Sequence, residues 1–201
     1  HSPTFRAALD ECDQIYRHES GESLIELLYQ HEDGSQLDQT GHAQPALFAL
    51  GYALSSLWQS WGIEPAAVMG HSLGEYVAAC IAGVFSLADG MKFVTHRAKL
   101  MQALKPEGQM IAVSCDEDRA RQAIAPFSGE ASIAAINAPN EVVISGATAA
   151  LKEIRDVLTA TGVRAVALKV SHAFHSHLMD PMLDDLSALA GSIQLSAPRI
   201  P

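Results

Sequence analysis

The chain has 201 residues, 48% hydrophobic and 18% charged, and 23 Asp and Glu against 13 Lys and Arg leave a formal net charge of −10. Apolar content this high with so little charge excludes a disordered chain, and a globular chain of this length buries roughly 70% of its unfolded surface. The acidic balance, without a compact run of Lys or Arg, excludes a nucleic-acid binder, so any anionic substrate must be held by local groups.

In chain order, Phe5 to Tyr16 and Ser23 to Tyr29 carry apolar residues at helical spacing, and Pro45 is placed to open a helix over Ala46 to Trp61. Gly41 to Ile63 has no Asp, Glu, Lys or Arg and matches the length of a membrane span. His42, Gln44, Pro45, Ser55, Ser56, Gln59 and Ser60 interrupt it, so a buried helix and no membrane association are expected. Ala66 to Met69 is a short apolar run ending at Gly70, and a helix through Glu75, Tyr76, Ala79 and Cys80 follows, stopping near Gly83: strand, turn, helix. Ser86, with Asp89 in the acidic position of a capping box, starts a further helix through Phe93, Val94, Arg97, Leu100 and Met101 to Pro106.

From Gly108 the pattern changes. Met110 to Ser114, Ala131 to Ile136, Glu141 to Ser145 and Val163 to Leu168 read as strands, with helices over Glu117 to Ile124 and Ala147 to Thr159. This β-α-β-β-α-β order is that of a ferredoxin-like unit, and Asn137-Ala138-Pro139-Asn140 supplies the turn of its central hairpin. A His-rich loop and a helix from Pro181 to Ala190 follow. Cys12, Cys80 and Cys115 are odd in number and form no CxxC, so neither a disulfide framework nor a zinc site is expected. A reducing compartment fits. With no basic-then-apolar stretch to read as a signal peptide at the N-terminus, the expected location is cytoplasmic.

Gly70-His71-Ser72-Leu73-Gly74 matches G-x-S-x-G between a strand and a helix, the context in which a serine hydroxyl projects from a sharp turn as a nucleophile. The Leu73 N–H is then placed to donate to an oxyanion. His71, inside the elbow, reads as packing. The serine needs a base, and His172, His175 and His177 of His172-Ala173-Phe174-His175-Ser176-His177 lie on one loop from which any could reach it. Asp180 is the one carboxylate close to that cluster, so no metal is expected there. Arg97 on its apolar helix reads, from spacing alone, as a rim residue with its stem on the core.

Together these residues resemble the malonyl-type acyltransferases: the acyltransferase domains of modular polyketide synthases and the malonyl-CoA:acyl-carrier-protein transacylases. The matching stretches are Gln44-Pro45-Ala46, Gly70 to Tyr76, Arg97-Ala98-Lys99-Leu100-Met101, Asn137-Ala138-Pro139 with Val142 to Gly146, and His172 to Ser176 with Met179. The fold expected is α/β: an α/β-hydrolase-like large subdomain over residues 1–107 and 169–201, incomplete at both ends, with the ferredoxin-like small subdomain inserted at 108–168.

The resemblance implies a ping-pong transfer in which Ser72 takes a malonyl group from its CoA thioester and passes it to the phosphopantetheine thiol of an acyl carrier protein. It selects His175 as base, oriented by a main-chain carbonyl, and gives Arg97 the malonyl carboxylate, which a guanidinium binds with two parallel hydrogen bonds. Phe174 of H-A-F-H would leave no room for the methyl branch of methylmalonyl. Gln44, His71, Asn137 and Met101 complete the implied substrate-binding set. CoA is substrate, no cofactor is bound, and the partners implied are the carrier protein and neighbouring domains of a multidomain synthase. Two alternatives are an α/β-hydrolase type esterase or thioesterase, for which Asp156 and His175 have the required order, and a non-catalytic fragment that docks a carrier protein.

Overall fold

The computed structural model describes residues 2–30 and 35–201. The fold is α/β, and the chain gathers into two compact units, His1–Gln102 with Asp185–Pro201, and Ala103–Asp184.

The described part of the first unit is helical up to residue 102, with α1 (Pro3–Ser20), α2 (Leu24–Tyr29), α3 (Thr40–Ser60), α4 (Gly74–Ala82) and α5 (Leu87–Gln102). Ser2 caps α1 through the Phe5 N–H at 3.4 Å, and Pro3 stands in the first turn, where no N–H is needed. Asp13 joins α1 to α2: its carboxylate accepts from Arg17 Nε at 2.7 Å, Ser23 Oγ at 3.0 Å and the Ile25 N–H at 3.1 Å. Burial alone would raise the Asp13 pKa, but the hydrogen bonds from Arg17, Ile25 and Ser23 outweigh it and hold the carboxyl below its ordinary range. Small residues Ala46, Ala49 and Ala53 let α3 approach α1 and α5 around Leu9, Tyr16, Phe48, Met91 and Val94.

Three expectations need correction in this unit. Pro45 does not open α3 but lies inside it: the His42 and Ala43 N–H groups bond back to the Gln39 carbonyl at 3.0 and 2.9 Å, so a turn closes ahead of the proline. The helix is also only partly buried, with Leu47, Leu54 and Trp58 more than 40% exposed on the side opposite the small residues. Among the described residues no helix is long and apolar enough to cross a membrane. Ala66 to Met69 forms no strand; the Val68 N–H bonds to the Pro201 carbonyl at 2.9 Å, and proline has no N–H with which to continue a ladder. Ser86 caps α5 as expected, accepting from the Asp89 N–H at 3.0 Å.

The second unit runs β1 (Gly108–Val113), α6 (Glu117–Ile124), β2 (Ala131–Ala138), β3 (Glu141–Ala147), α7 (Thr148–Ala160) and β4 (Ala165–Ala167), and α8 (Leu183–Gly191) begins within it. The strands are antiparallel in the order β2-β3-β1-β4. Alternation sends Ile111, Val113, Val142 and Ile144 to one face, where they pack with Leu151, Ile154 and Leu158 of α7. Met110, Ser145 and Ser132, paired across β1, β3 and β2, form a row on the other face. This compact unit is longer than residues 108–168 at both ends. It takes in the His-rich loop because Gly108 lies so close to it that an added Cβ would be 2.4 Å from Ala173 Cβ and 2.5 Å from Leu178 Cδ1.

Replacing Asp13 with Ala removes three hydrogen bonds at once, one of them to Ser23, the cap of α2. Urea unfolding at pH 7 should show a loss of about 1–3 kcal/mol. Because the native carboxyl titrates below its unfolded value, its contribution is present above about pH 4 and lost below it, so the wild-type advantage should narrow in acid.

Candidate active site

Ser72 sits at the head of α4 with φ 51°, one of two non-glycine residues in the left-handed region among those described. The turn is tight. The His71, Ser72 and Leu73 carbonyls accept from the N–H groups of Gly74, Glu75 and Tyr76 at 2.9, 3.1 and 3.1 Å. A Cβ on Gly70 would stand 1.9 Å from the Gly74 carbonyl carbon, whereas one on Gly74 would meet nothing within 4 Å, so the turn requires only the first glycine of the motif. Leu73 is the N-cap residue of α4, which puts its N–H at the positive end of the helix dipole. His71 is not packed as the spacing predicts: it is exposed, beside the 93% exposed Met69, on a groove of about 560 Å³ lined also by Leu47, Val68 and Val77.

Arg97, on α5, is 8% exposed, so it is not the rim residue that spacing implied. Its Nη1 donates to Gln44 Oε1, and its guanidinium carbon lies 5.3 Å from the centroid of the Tyr76 ring, which stacks on Phe93 with centroids 5.3 Å apart. Gln44 is fixed in turn by donating from Nε2 to Thr40 Oγ1 at 2.8 Å and to Met101 Sδ at 3.2 Å. Burial pushes the Arg97 pKa down and Tyr76 opposes it. No Asp or Glu among the described residues forms an ion pair with this guanidinium. Thr40 and Tyr76 are parts of this arrangement that the sequence reading left without a role. The signal for each was helical spacing, Thr40 four residues before Gln44 and Tyr76 four after Ser72.

In the second unit, His172 is 3% exposed; its Nε2–H donates to the Leu104 carbonyl at 2.9 Å, which leaves Nδ1 to accept from Ser171 Oγ at 2.9 Å. Both nitrogens are engaged, so His172 is structural. Phe174 is half-buried with its ring 5.9 Å from that of His172. His175 is exposed, has φ 59°, and its carbonyl accepts from Ser132 Oγ at 3.0 Å. Asn137 is exposed near the end of β2. Asp156, the acid a hydrolase would need, is exposed on α7, which packs on the sheet face opposite Ser132. Cys12 and Cys80 are buried in the first unit with their thiols pushed up by burial to about 12 and about 11, which leaves them without nucleophilic character.

Thus Gln44, Arg97 and Met101 meet in the first unit, together with the helix that Ser72 begins, and His172, Phe174 and His175 share one loop of the second. Residues 1–201 match the acyl transferase domain family. The chain is 41% identical to the polyketide synthase GfsA of Streptomyces halstedii, over 98% of its own length but 3% of that protein's. It superposes on the acyltransferase domain from the second module of the salinomycin polyketide synthase with a TM-score of 0.94 and 44% identity, covering 100% of this chain and 46% of that one. It also resembles a malonyl-transacylase solved in complex with a type II acyl-carrier protein, with a TM-score of 0.88 and 32% identity over 97% of this chain and 65% of that one.

The two elbow glycines should behave differently under substitution. Gly70→Ala is expected to destabilise the chain by about 3 kcal/mol, and Gly74→Ala to stay within about 1 kcal/mol of wild type, both read by urea unfolding.

Proposed function

The chain belongs to the acyl transferase domain family, and from that premise we propose that it moves malonyl units from CoA to the phosphopantetheine thiol of an acyl carrier protein during polyketide synthesis. The observation that carries the malonyl assignment is Arg97, a buried guanidinium held by a neutral amide and an aromatic ring. A buried charge without a counter-ion is costly, and a substrate carboxylate supplies one.

The Ser72 oxygen attacks the thioester carbonyl while His175 takes the hydroxyl proton, and the Leu73 N–H stabilises the negative charge that develops on the carbonyl oxygen. The carbon–sulfur bond breaks and CoA leaves as the thiol with the proton that His175 returns, leaving malonyl-Ser72. The carrier thiol then attacks this ester, gives its proton to His175, and the proton passes to the departing Ser72 oxygen. No resident cofactor takes part. Gln44 and Met101 shape the carboxylate end of the pocket. Phe174 disfavours a methyl branch at the acyl C2, and Asn137 and His71 contact the remainder of the thioester. The carrier assignment draws support from the solved transacylase with its carrier protein, and the synthase context from the similarity to a much longer polyketide synthase.

In the same reading the second unit is a ferredoxin-like insert, consistent with its β-α-β-β-α-β order, in an α/β-hydrolase-like domain, and the enzyme works in the cytoplasm beside neighbouring synthase domains.

Intact-mass measurement after brief exposure to malonyl-, methylmalonyl- or acetyl-CoA tests this directly. A malonyl adduct that Ser72→Ala lacks is expected; its absence from the full chain would remove the acyl-enzyme. Arg97→Ala should lose about 2–5 kcal/mol of malonyl transfer while acetyl transfer falls far less, and an equal fall would sink the carboxylate role. Phe174→Ser should raise methylmalonyl use relative to malonyl by about 1–3 kcal/mol, measured as a competition ratio.

A further inference from the structure

His175 holds a backbone conformation in which β-substituted residues are rare and which persists only where the surroundings impose it. The chain on either side is anchored. His172 is tied to the Leu104 carbonyl, Ala173 is 1% exposed against Gly108, and Ser176 Oγ donates to the Ala173 carbonyl at 2.7 Å. Ser176 also starts the 3-10 turn His177–Met182 by accepting from the Leu178 N–H at 3.3 Å. Those bonds fix the neighbours of His175. The peptide that follows it is gripped from a different element, the sheet, by Ser132 Oγ donating to the His175 carbonyl at 3.0 Å.

We infer that Ser132 is a positioning residue for His175: by holding that carbonyl it fixes the peptide on the C-terminal side of the left-handed residue and so steadies the direction in which the imidazole leaves the backbone. The inference rests on the reading of His175 as the base that activates Ser72.

The His175 carbonyl lies in the peptide that follows the residue, so the Ser132 bond restrains rotation about the Cα–C bond; releasing it lets the His175 Cα turn against the anchored Ser176, and the imidazole turns with it. The hydroxyl comes from a suitable place. Ser132 is on β2, directly opposite Ser145 of β3, and the register of β2 shifts just beyond it, between Ile133 and Ala135. Such irregularities bend an edge strand and re-aim its side chains. Ser145, in the same row, is fully buried, and its hydroxyl has no hydrogen-bond partner among the described residues, so it provides a neighbouring serine that makes no such bond.

The test compares Ser132→Val with Ser132→Thr in the full chain, because the two side chains have matched shape and strand propensity and differ in the hydroxyl. Single-turnover formation of malonyl-Ser72 is followed by rapid quench and intact mass, with melting temperature as a parallel measurement. Ser132→Val is expected to slow the acylation step about three- to tenfold at saturating malonyl-CoA, with the half-saturating concentration unchanged, and Ser132→Thr to restore it. In a His175→Gln background Ser132→Val should have no further effect, since it acts through that residue. Ser145→Ala should acylate at the wild-type rate.

Equal rates for Ser132→Val and wild type, equal losses for Val and Thr, an undiminished Val effect without His175, or a matching loss in Ser145→Ala would each overturn the positioning role. If His175→Gln acylates as fast as wild type, the assignment of the base itself fails, an outcome separate from a failure of Ser132 alone.

Discussion

Arg97 is an ionised group that stays charged at any ordinary pH and is buried where water cannot fully solvate it. Its surroundings follow from that. α3 supplies the Gln44 oxygen and α4 the Tyr76 ring face, so three helices converge on one guanidinium carried by α5. Thr40 and Met101 fix the Gln44 amide so that its oxygen, not its nitrogen, faces the arginine. The result is a buried charge held by neutral groups, the arrangement on which the proposed recognition of a substrate carboxylate rests.

The residues assigned to proton transfer and nucleophilic attack share a backbone property. Ser72 and His175 are the two left-handed non-glycine residues among those described, and each is supported within its own unit. For Ser72 the support is the first turn of α4 and the side-chain-free approach of Gly70. For His175 it is a loop pinned at His172, Ala173 and Ser176 and bonded to Ser132 of the sheet. Strain of this kind persists when the flanking structure has more constraints than a relaxed backbone could satisfy.

Much of the second unit was legible in the sequence because its signals are local: short apolar runs, two amphipathic helices and a turn of Asn and Pro. The expected element order recurs in the structure with no end moved by more than two residues. The first unit was harder. Pro45 reads as a helix start because proline favours the first turn, yet bonds to the Gln39 carbonyl begin the helix earlier. Ala66 to Met69 reads as a strand, but a strand is defined by its neighbours, and in this chain its described backbone bond is to a proline.

The serine, arginine and histidine tetrad were visible as motifs, since each stands in a short run of residues that can be read without knowing the fold. What the sequence by itself determined is therefore the set of chemical groups and the local backbone that presents two of them. The tertiary structure decided the rest: that Arg97 is buried instead of lying on a rim, that His172 is consumed by the Leu104 carbonyl while His71 faces a groove, and that Ser132 reaches His175. The bonds from Arg97 to Gln44, from His172 to Leu104 and from Ser132 to His175 join residues 53, 68 and 43 positions apart, and the pattern of a sequence carries no direct record of which distant groups meet.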